Sequence, residues 1–530
     1  MLKIGEIRID NRSGWCLTDN AAPILSFALK SDVQDTELSY VMVRIGKWEK
    51  KFYEQTGIVL DGLNLIPFTN YSVEITAYDN HGKTASGSTG FSTGRMGTAW
   101  NAKWITDKTY QFAKRTSPKP MTFRKKFRTY KPIKKAYVMA TAIGVYELQL
   151  NGKKVGIQYF APGFTSYNNR LQYQYYDITK LIAKQNTVTA VVGGGWAVGR
   201  FTYSSKSKIT ADRQAFLFEL FIEYADGSKE IIITDNSWEV TENGNYRFGD
   251  FYDGEYYDST VELEKQLWKK ANVTKFKTNL VAQTGNGVIA HEQLYPISIF
   301  KAANGNEIIY DFGQNFAGVV NLKINGKRGQ KITVRHAELL HNGDLCFKSL
   351  RTAKATTTYI CIGGKQEYSP RLTYMGFRYI AVSGISERDI EVSAYALYSD
   401  FEQIGSFNCS DERLNKLQSN IVWSGKSNLI EVPTDCPQRD ERMGWTGDIS
   451  LFASTACFNF DLGGFWDKWL KDVSTEQGRG GGIPLVVPKQ GISVPTVATA
   501  CWGDCCILVP WAEYLARGDK ELLSRQYPTI

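Results

Sequence analysis

Between Asp435 and Asp448 the chain places four carboxylates, Asp435, Asp440, Glu441 and Asp448, with Arg439, Arg442 and Trp445 interleaved. Carboxylates this close repel one another, and holding them together costs free energy unless cations or hydroxyls offset the charge. The same repulsion favours keeping one of them protonated, as a proton donor near neutral pH requires. Arginine forks bind hydroxyls and carboxylates, and a tryptophan face stacks on a sugar ring. These residue types suit a pocket that binds a neutral polyol and moves protons on it.

Pro433 and Pro437 exclude a continuous helix, so the cluster reads as a loop. Asp448 opens the apolar run Ile449–Phe460 and also suits a helix N-terminus. Asp440 reads as a structural ion-pair partner. The arginines are expected on Asp435, Asp440 or substrate hydroxyls, leaving Glu441 beside carboxylates and Trp445 as the protonated acid.

Other chemistry is poorly supported. The four histidines, His81, His291, His336 and His341, are scattered and do not make a zinc set. Cys505-Cys506 lacks metal-ligand spacing, and Gly478-Arg-Gly-Gly-Gly482 lacks the Lys-Ser/Thr of a phosphate loop. No cofactor and no metal ligands are therefore expected. The net charge of +9 is spread without a basic run, so no nucleic-acid partner is indicated. The N-terminus lacks the apolar core of a signal peptide, and no segment reaches the roughly 18 apolar residues of a membrane span. Nine cysteines, several in apolar surroundings, fit reduced thiols in a cytoplasmic protein.

The elements that must position the loop divide the chain into four segments. Residues 1–96 alternate with period two, as in Ser39-Tyr-Val-Met-Val-Arg-Ile and Tyr71-Ser-Val-Glu-Ile-Thr-Ala-Tyr, and read as β; the phrase Leu65-Ile-Pro-Phe-Thr-Asn-Tyr-Ser-Val resembles a fibronectin III/Ig-like β-sandwich. Residues 97–285 read as a second β-rich segment, with an Asn151-Gly152 hairpin and a permissive Gly193-Gly-Gly-Trp196 corner. Residues 286–402 read as a further β-sandwich. From 403 the period changes to helical. Leu414, Leu417 and Ile421 share a face after Ser410, a candidate cap. Trp511-Ala-Glu-Tyr-Leu-Ala-Arg ends at Gly518, a candidate C-cap.

The stretch Pro433-Thr-Asp-Cys-Pro-Gln-Arg-Asp-Glu-Arg-Met-Gly-Trp-Thr-Gly-Asp448 closely resembles the catalytic segment of bacterial α-L-rhamnosidases of glycoside hydrolase family 78. Tyr310-Asp-Phe-Gly-Gln-Asn-Phe-Ala-Gly, Arg335-His-Ala-Glu-Leu and Tyr374-Met-Gly-Phe-Arg-Tyr resemble the β domain preceding the family's barrel. Phe160-Ala-Pro-Gly-Phe-Thr-Ser-Tyr resembles its jelly roll, and Gly482-Ile-Pro and Trp502-Gly-Asp504 its helical barrel.

The resemblance implies several antiparallel β-sandwich and jelly-roll domains followed by the first helices of an (α/α)6 barrel. It implies hydrolysis of terminal α-L-rhamnose with inversion, the partner being a rhamnose-containing oligosaccharide or glycoside. Glu441 corresponds to the general acid. Asp435, Arg439, Trp445, Asp448 and Trp502 correspond to residues that bind sugar hydroxyls or frame the pocket. No residue corresponds to the family's general base. The polypeptide is therefore expected to continue beyond Ile530, and this portion to be inactive alone. A non-hydrolytic sugar-binding protein and an (α/α)6 glycosidase of another specificity are the alternatives.

Overall fold

The computed structural model describes residues 1–489 and 499–530. Strands dominate as far as Ser399, and the long helices follow from Glu412. The first ninety or so residues form a four-stranded and a five-stranded sheet. In the strand Asn70–Asp79, Val73, Ile75 and Ala77 are buried while alternate residues face outward, as period-two patterning requires. They meet Ile9, Leu25 and Phe27 of the facing sheet.

A seven-stranded and a six-stranded sheet come next, closing on Phe123, Phe216, Phe218 and Trp238. The expected hairpin is present. Asn151 and Gly152 both adopt positive φ, 55° and 76°, between the paired strands Val145–Leu150 and Lys153–Lys154. That geometry matches the twist of the flanking strands.

A ten-stranded sheet follows, and its membership crosses the sequence divisions. Gly254–Asp258 pairs in parallel with Thr356–Ile360, so residues before 285 belong to the ten-stranded sheet. The sheet's spine is the 19-residue strand Ile308–Gly326. It pairs with Met375–Ser383 and with Ile390–Ser399, and its register shifts between Asp311 and Phe316. A bulge of this kind bends a sheet and re-aims what lies beside it. Here Ala317, just past the bulge, donates its N–H to Ser427 of the first long helix.

That helix, Glu412–Asn428, is capped by Asp411, whose carboxylate accepts the Arg413 N–H. Ser410 is not the cap. Nor does the Leu414–Leu417 face point to a core: those side chains are 45% and 53% exposed. The buried face carries Val422, Gly425, Lys426 and Ser427, because the helix lies on the Ile308–Gly326 strand with that side. The helices Thr446–Asn459, Gly463–Glu476 and Cys505–Arg517 follow, the last ending at Gly518 in the left-handed conformation as expected. Leu451, Phe458, Trp511 and Leu515 on these helices are also exposed.

The seam between jelly roll and helices is charged. Lys468 pairs with Glu431, and Arg170 with Asp472, all four side chains being buried. Glu431 also accepts the Phe164 N–H, and Lys468 reaches the Glu431 carbonyl. Buried charges persist only when paired and hydrogen-bonded in this way.

Candidate active site

The acidic stretch is a loop between the short strand Val432–Pro433 and the helix Thr446–Asn459. Asp435 and Met443 close it. The Asp435 N–H meets the Met443 carbonyl at 3.2 Å, and Asp435 Oδ1 accepts the Met443 N–H at 3.0 Å. Two glycines are fixed by close approach. A Cβ at Gly444 would lie 2.1 Å from the Val487 carbonyl oxygen, and one at Gly447 would lie 2.7 Å from the Trp502 ring. Trp502 therefore stands directly against the first turn of the helix that carries Asp448.

Arg442 is the loop's anchor. It has φ 51° and is fully buried. Its guanidinium donates to the carbonyls of Tyr374 at 2.7 Å, Gln438 at 3.1 Å and Arg439 at 3.2 Å. It lies over the Tyr252 and Tyr374 rings, 5.3 and 4.6 Å from their centroids. The planar fork satisfies three acceptors at once, which a lysine cannot do in this geometry.

Arg439 does the electrostatic work. Its Nη2 lies 3.2 Å from Asp435 Oδ2 and its Nε 2.9 Å from Glu441 Oε2. A third arginine, Arg351, enters from the ten-stranded-sheet region and puts Nη1 2.8 Å from the same Glu441 oxygen. The expected distribution of arginines is thus corrected. Arg442 serves backbone carbonyls, and Glu441 is paired with two guanidinium groups because the loop curls against the β region. Asp440 is corrected too: among the described residues it makes no ion pair. It is buried and accepts from the Thr352 hydroxyl, while Oδ1 has no hydrogen-bond partner among the described residues.

Burial and the neighbouring Glu441 charge push the Asp435 carboxyl up to about 6. Partial burial, with a further push from Glu441, raises the Asp448 carboxyl as well. Cys436, buried beside Asp435, is pushed up to about 12 and remains a thiol. Asp435, Cys436 and Glu441 offer three ligand atoms within 4.8 Å of one another. Arg439 already bridges the two carboxylates, so a cation there would have to displace a guanidinium.

Asp435 and Asp448 line a cavity of about 150 Å³ with Ser424, Asn428, Thr434 and Phe452. Trp445 is half-buried at the helix N-cap, its backbone paired with Val486. Trp502 is also half-buried, and its Nε1 finds no hydrogen-bond partner among the described residues. All six sequence-derived positions therefore lie on the loop, on the first turn of its helix, or against that turn. Arg351, Thr352 and Tyr252 were not foreseen. The Tyr252 hydroxyl donates to the Glu441 carbonyl at 2.8 Å, from 189 residues upstream. The Tyr374-Met-Gly-Phe-Arg stretch, read from the sequence only as part of the β domain, also meets the loop. A Cβ at Gly376 would come within 2.9 Å of Pro437 and Gln438.

Three domain families match in succession. They are the α-L-rhamnosidase N-terminal domain at residues 131–299, the bacterial α-L-rhamnosidase concanavalin-like domain at 301–398, and the bacterial α-L-rhamnosidase six-hairpin glycosidase domain at 402–530. The chain belongs to the bacterial α-L-rhamnosidase family. An α-L-rhamnosidase of Alteromonas sp. (strain LOR) is 33% identical over 452 residues, 81% of this chain and 49% of the relative. One from Streptomyces avermitilis is 35% identical over 77% of this chain and 41% of the relative. The chain spans about half the length of the curated rhamnosidases it matches. The Aspergillus terreus α-L-rhamnosidase structure superposes with a TM-score of 0.93 at 32% identity, over all of this chain and 64% of that one. A Streptomyces avermitilis α-L-rhamnosidase structure complexed with L-rhamnose gives 0.92 at 24% identity, over all of this chain and 70% of that one.

Proposed function

We propose that this chain carries the acid half of an inverting α-L-rhamnosidase site, with Glu441 as the general acid. The observation that carries the reading is the carboxyl geometry. Asp435 and Glu441 approach within 4.8 Å. An inverting pair needs about 6.5–9.5 Å to admit a water. Asp435 is therefore not the base. It is not a free nucleophile either, since Met443 N–H and Arg439 occupy its two oxygens. Asp435, Arg439 and Asp448 are left to bind hydroxyls, while Trp445 and Trp502 supply an apolar wall for the 6-deoxy methyl group and the ring C–H face. The base is assigned to polypeptide beyond Ile530.

In this scheme the Glu441 carboxylic acid gives its proton to the glycosidic oxygen as the C1–O bond breaks. Water, deprotonated by the base, attacks C1 from the opposite face. Neutral hydroxyl-rich substrate fits the cluster, because Arg439 and Arg351 together offset the carboxylate charge around Asp435 and Glu441. Nine unpaired cysteines support a reducing, cytoplasmic setting.

Glu441→Gln in the complete encoded polypeptide tests the assignment. Hydrolysis of a rhamnosyl disaccharide is expected to fall roughly 1,000-fold, within the usual range for general-acid catalysis. Turnover close to wild type would remove Glu441 from the role. Proton NMR of the first-formed sugar is expected to show the β-anomer, and the α-anomer would rule out inversion. Binding of L-rhamnose with no hydrolysis by the complete polypeptide would favour a sugar-binding protein instead.

A further inference from the structure

Glu441 uses only one of its two oxygens for the contacts that hold it. Arg439 Nε at 2.9 Å and Arg351 Nη1 at 2.8 Å both address Oε2. Among the described residues, no hydrogen bond engages Oε1. The two guanidinium groups therefore fix the rotation of the carboxyl group and leave one oxygen free. Arg439 divides its donors between Asp435 and Glu441, whereas Glu441 is the one carboxylate that Arg351 reaches among the described residues.

Arg351 is also held in an unusual way. It follows the short turn Lys348–Leu350 and has φ 55° and ψ −112°, a backbone conformation that a long side chain rarely adopts. Such strain survives where the surroundings over-determine it. They do so here on both sides. Leu350 is buried in the core, and the Thr352 hydroxyl is bonded to Asp440 and reached by Arg200 Nη1 at 3.3 Å. Consecutive residues of the β region thus grip consecutive residues of the catalytic loop, Arg351 on Glu441 and Thr352 on Asp440. The Arg351 side chain is 43% exposed while Glu441 is 10% exposed, so the arginine approaches from the solvent side.

We propose that Arg351 is a positioning residue for proton delivery to the leaving group. This rests on Glu441 being the acid. Arg351 clamps Oε2 so that Oε1 carries the proton toward the glycosidic oxygen. Asp435, Arg439 and Asp448 remain the groups assigned to the rhamnose hydroxyls.

The role predicts a dependence on the leaving group. Protonation matters most for a poor leaving group such as a sugar alkoxide, and little for dinitrophenolate, which departs unprotonated. In the complete polypeptide, Arg351→Ala is expected to lower kcat on a rhamnosyl disaccharide about 30-fold, a fraction of a full general-acid effect. On 2,4-dinitrophenyl α-L-rhamnoside the loss is expected to stay within about threefold. Arg351→Lys, which restores the cation without the fork, should recover most of the disaccharide rate. L-Rhamnose affinity measured by calorimetry should be unchanged in both variants. An equal loss on the two substrates, no loss on the disaccharide, or a matching loss of L-rhamnose affinity would each overturn the proposal. Glu441→Gln separates the two levels of inference. If it fails to discriminate between the substrates, the acid assignment falls. If it discriminates and Arg351→Ala does not, only the positioning role falls.

Discussion

The β region and the helical region solve the burial problem differently. Through residue 399 the sheets pair face to face, and their alternating side chains bury Val73, Phe123, Phe216 and Val320 almost completely. In the helical region Gly463–Glu476 is buried nearly all round, while Leu417, Leu451, Phe458 and Leu515 on its neighbours remain open. Yet the helical region and its loop contribute every residue assigned to the sugar. The β region contributes the braces: Tyr252 and Tyr374 under Arg442, Thr352 on Asp440, and Arg351 on Glu441. A self-contained scaffold holds steady a loop that belongs to a less self-contained one.

The comparison is most severely tested at the seam. Lys468→Met leaves Glu431 buried and unpaired, and is expected to cost about 3–5 kcal/mol. Urea unfolding followed by tryptophan fluorescence reads it, since Trp466 and Trp469 are fully buried on the same helix. Arg44→Met, which breaks the exposed Arg44–Glu74 pair of the first sandwich, should barely move the midpoint. Equal effects would erase the distinction between seam and surface.

A smaller effect is expected from pH. Burial pushes Glu255 and Glu476 up to about 7 and Glu513 up to about 8. Each folded-state value lies above the unfolded one, so the unfolded chain binds fewer protons and stability falls as pH rises through this range. His336, pushed down to about 4 by burial, slopes the other way, but its contribution is complete near pH 6.5. Between pH 6.5 and 8 a net loss on the order of 2 kcal/mol is expected, visible as a falling denaturation midpoint. Glu476 and Glu513 lie on the helices, so helical signals should soften first. A midpoint that rose across this window would contradict the assignment.

The smallest effect sharpens the division between brace and grip. Arg442→Lys keeps the charge but loses the fork, and is expected to cost about 1–2 kcal/mol and to weaken L-rhamnose binding with it. Arg439→Lys should weaken binding while leaving the denaturation midpoint in place. Calorimetry and thermal unfolding on both variants decide it. Unchanged stability and binding in Arg442→Lys would mean the anchor is dispensable.

Local chemistry was legible in the sequence. The Asn151-Gly152 turn, the Gly518 cap and the loop between Pro433 and Asp448 each depend on a few neighbouring residues, and each forms as patterned. The Leu414–Leu417 stripe shows where such reasoning stops. Periodicity reveals that one side of a helix is apolar but not which side meets the sheet, and here tertiary packing chose Val422 and Gly425. Capping by Asp411 in place of Ser410 is a shift of one residue at a helix end, where boundaries are softest. The partners of the loop were hidden for a different reason. Thr352 and Tyr252 lie 88 and 189 residues from the groups they hold, and no spacing rule reaches that far.

Between Trp502 and Gly447 there is no intervening side chain, only ring against backbone. A sugar that settles on the indole would therefore press on the opening turn of a helix, and the positive end of that helix would lean with it. The Trp502 indole and the carboxylate of Asp448, one residue beyond Gly447, thus share one packed turn.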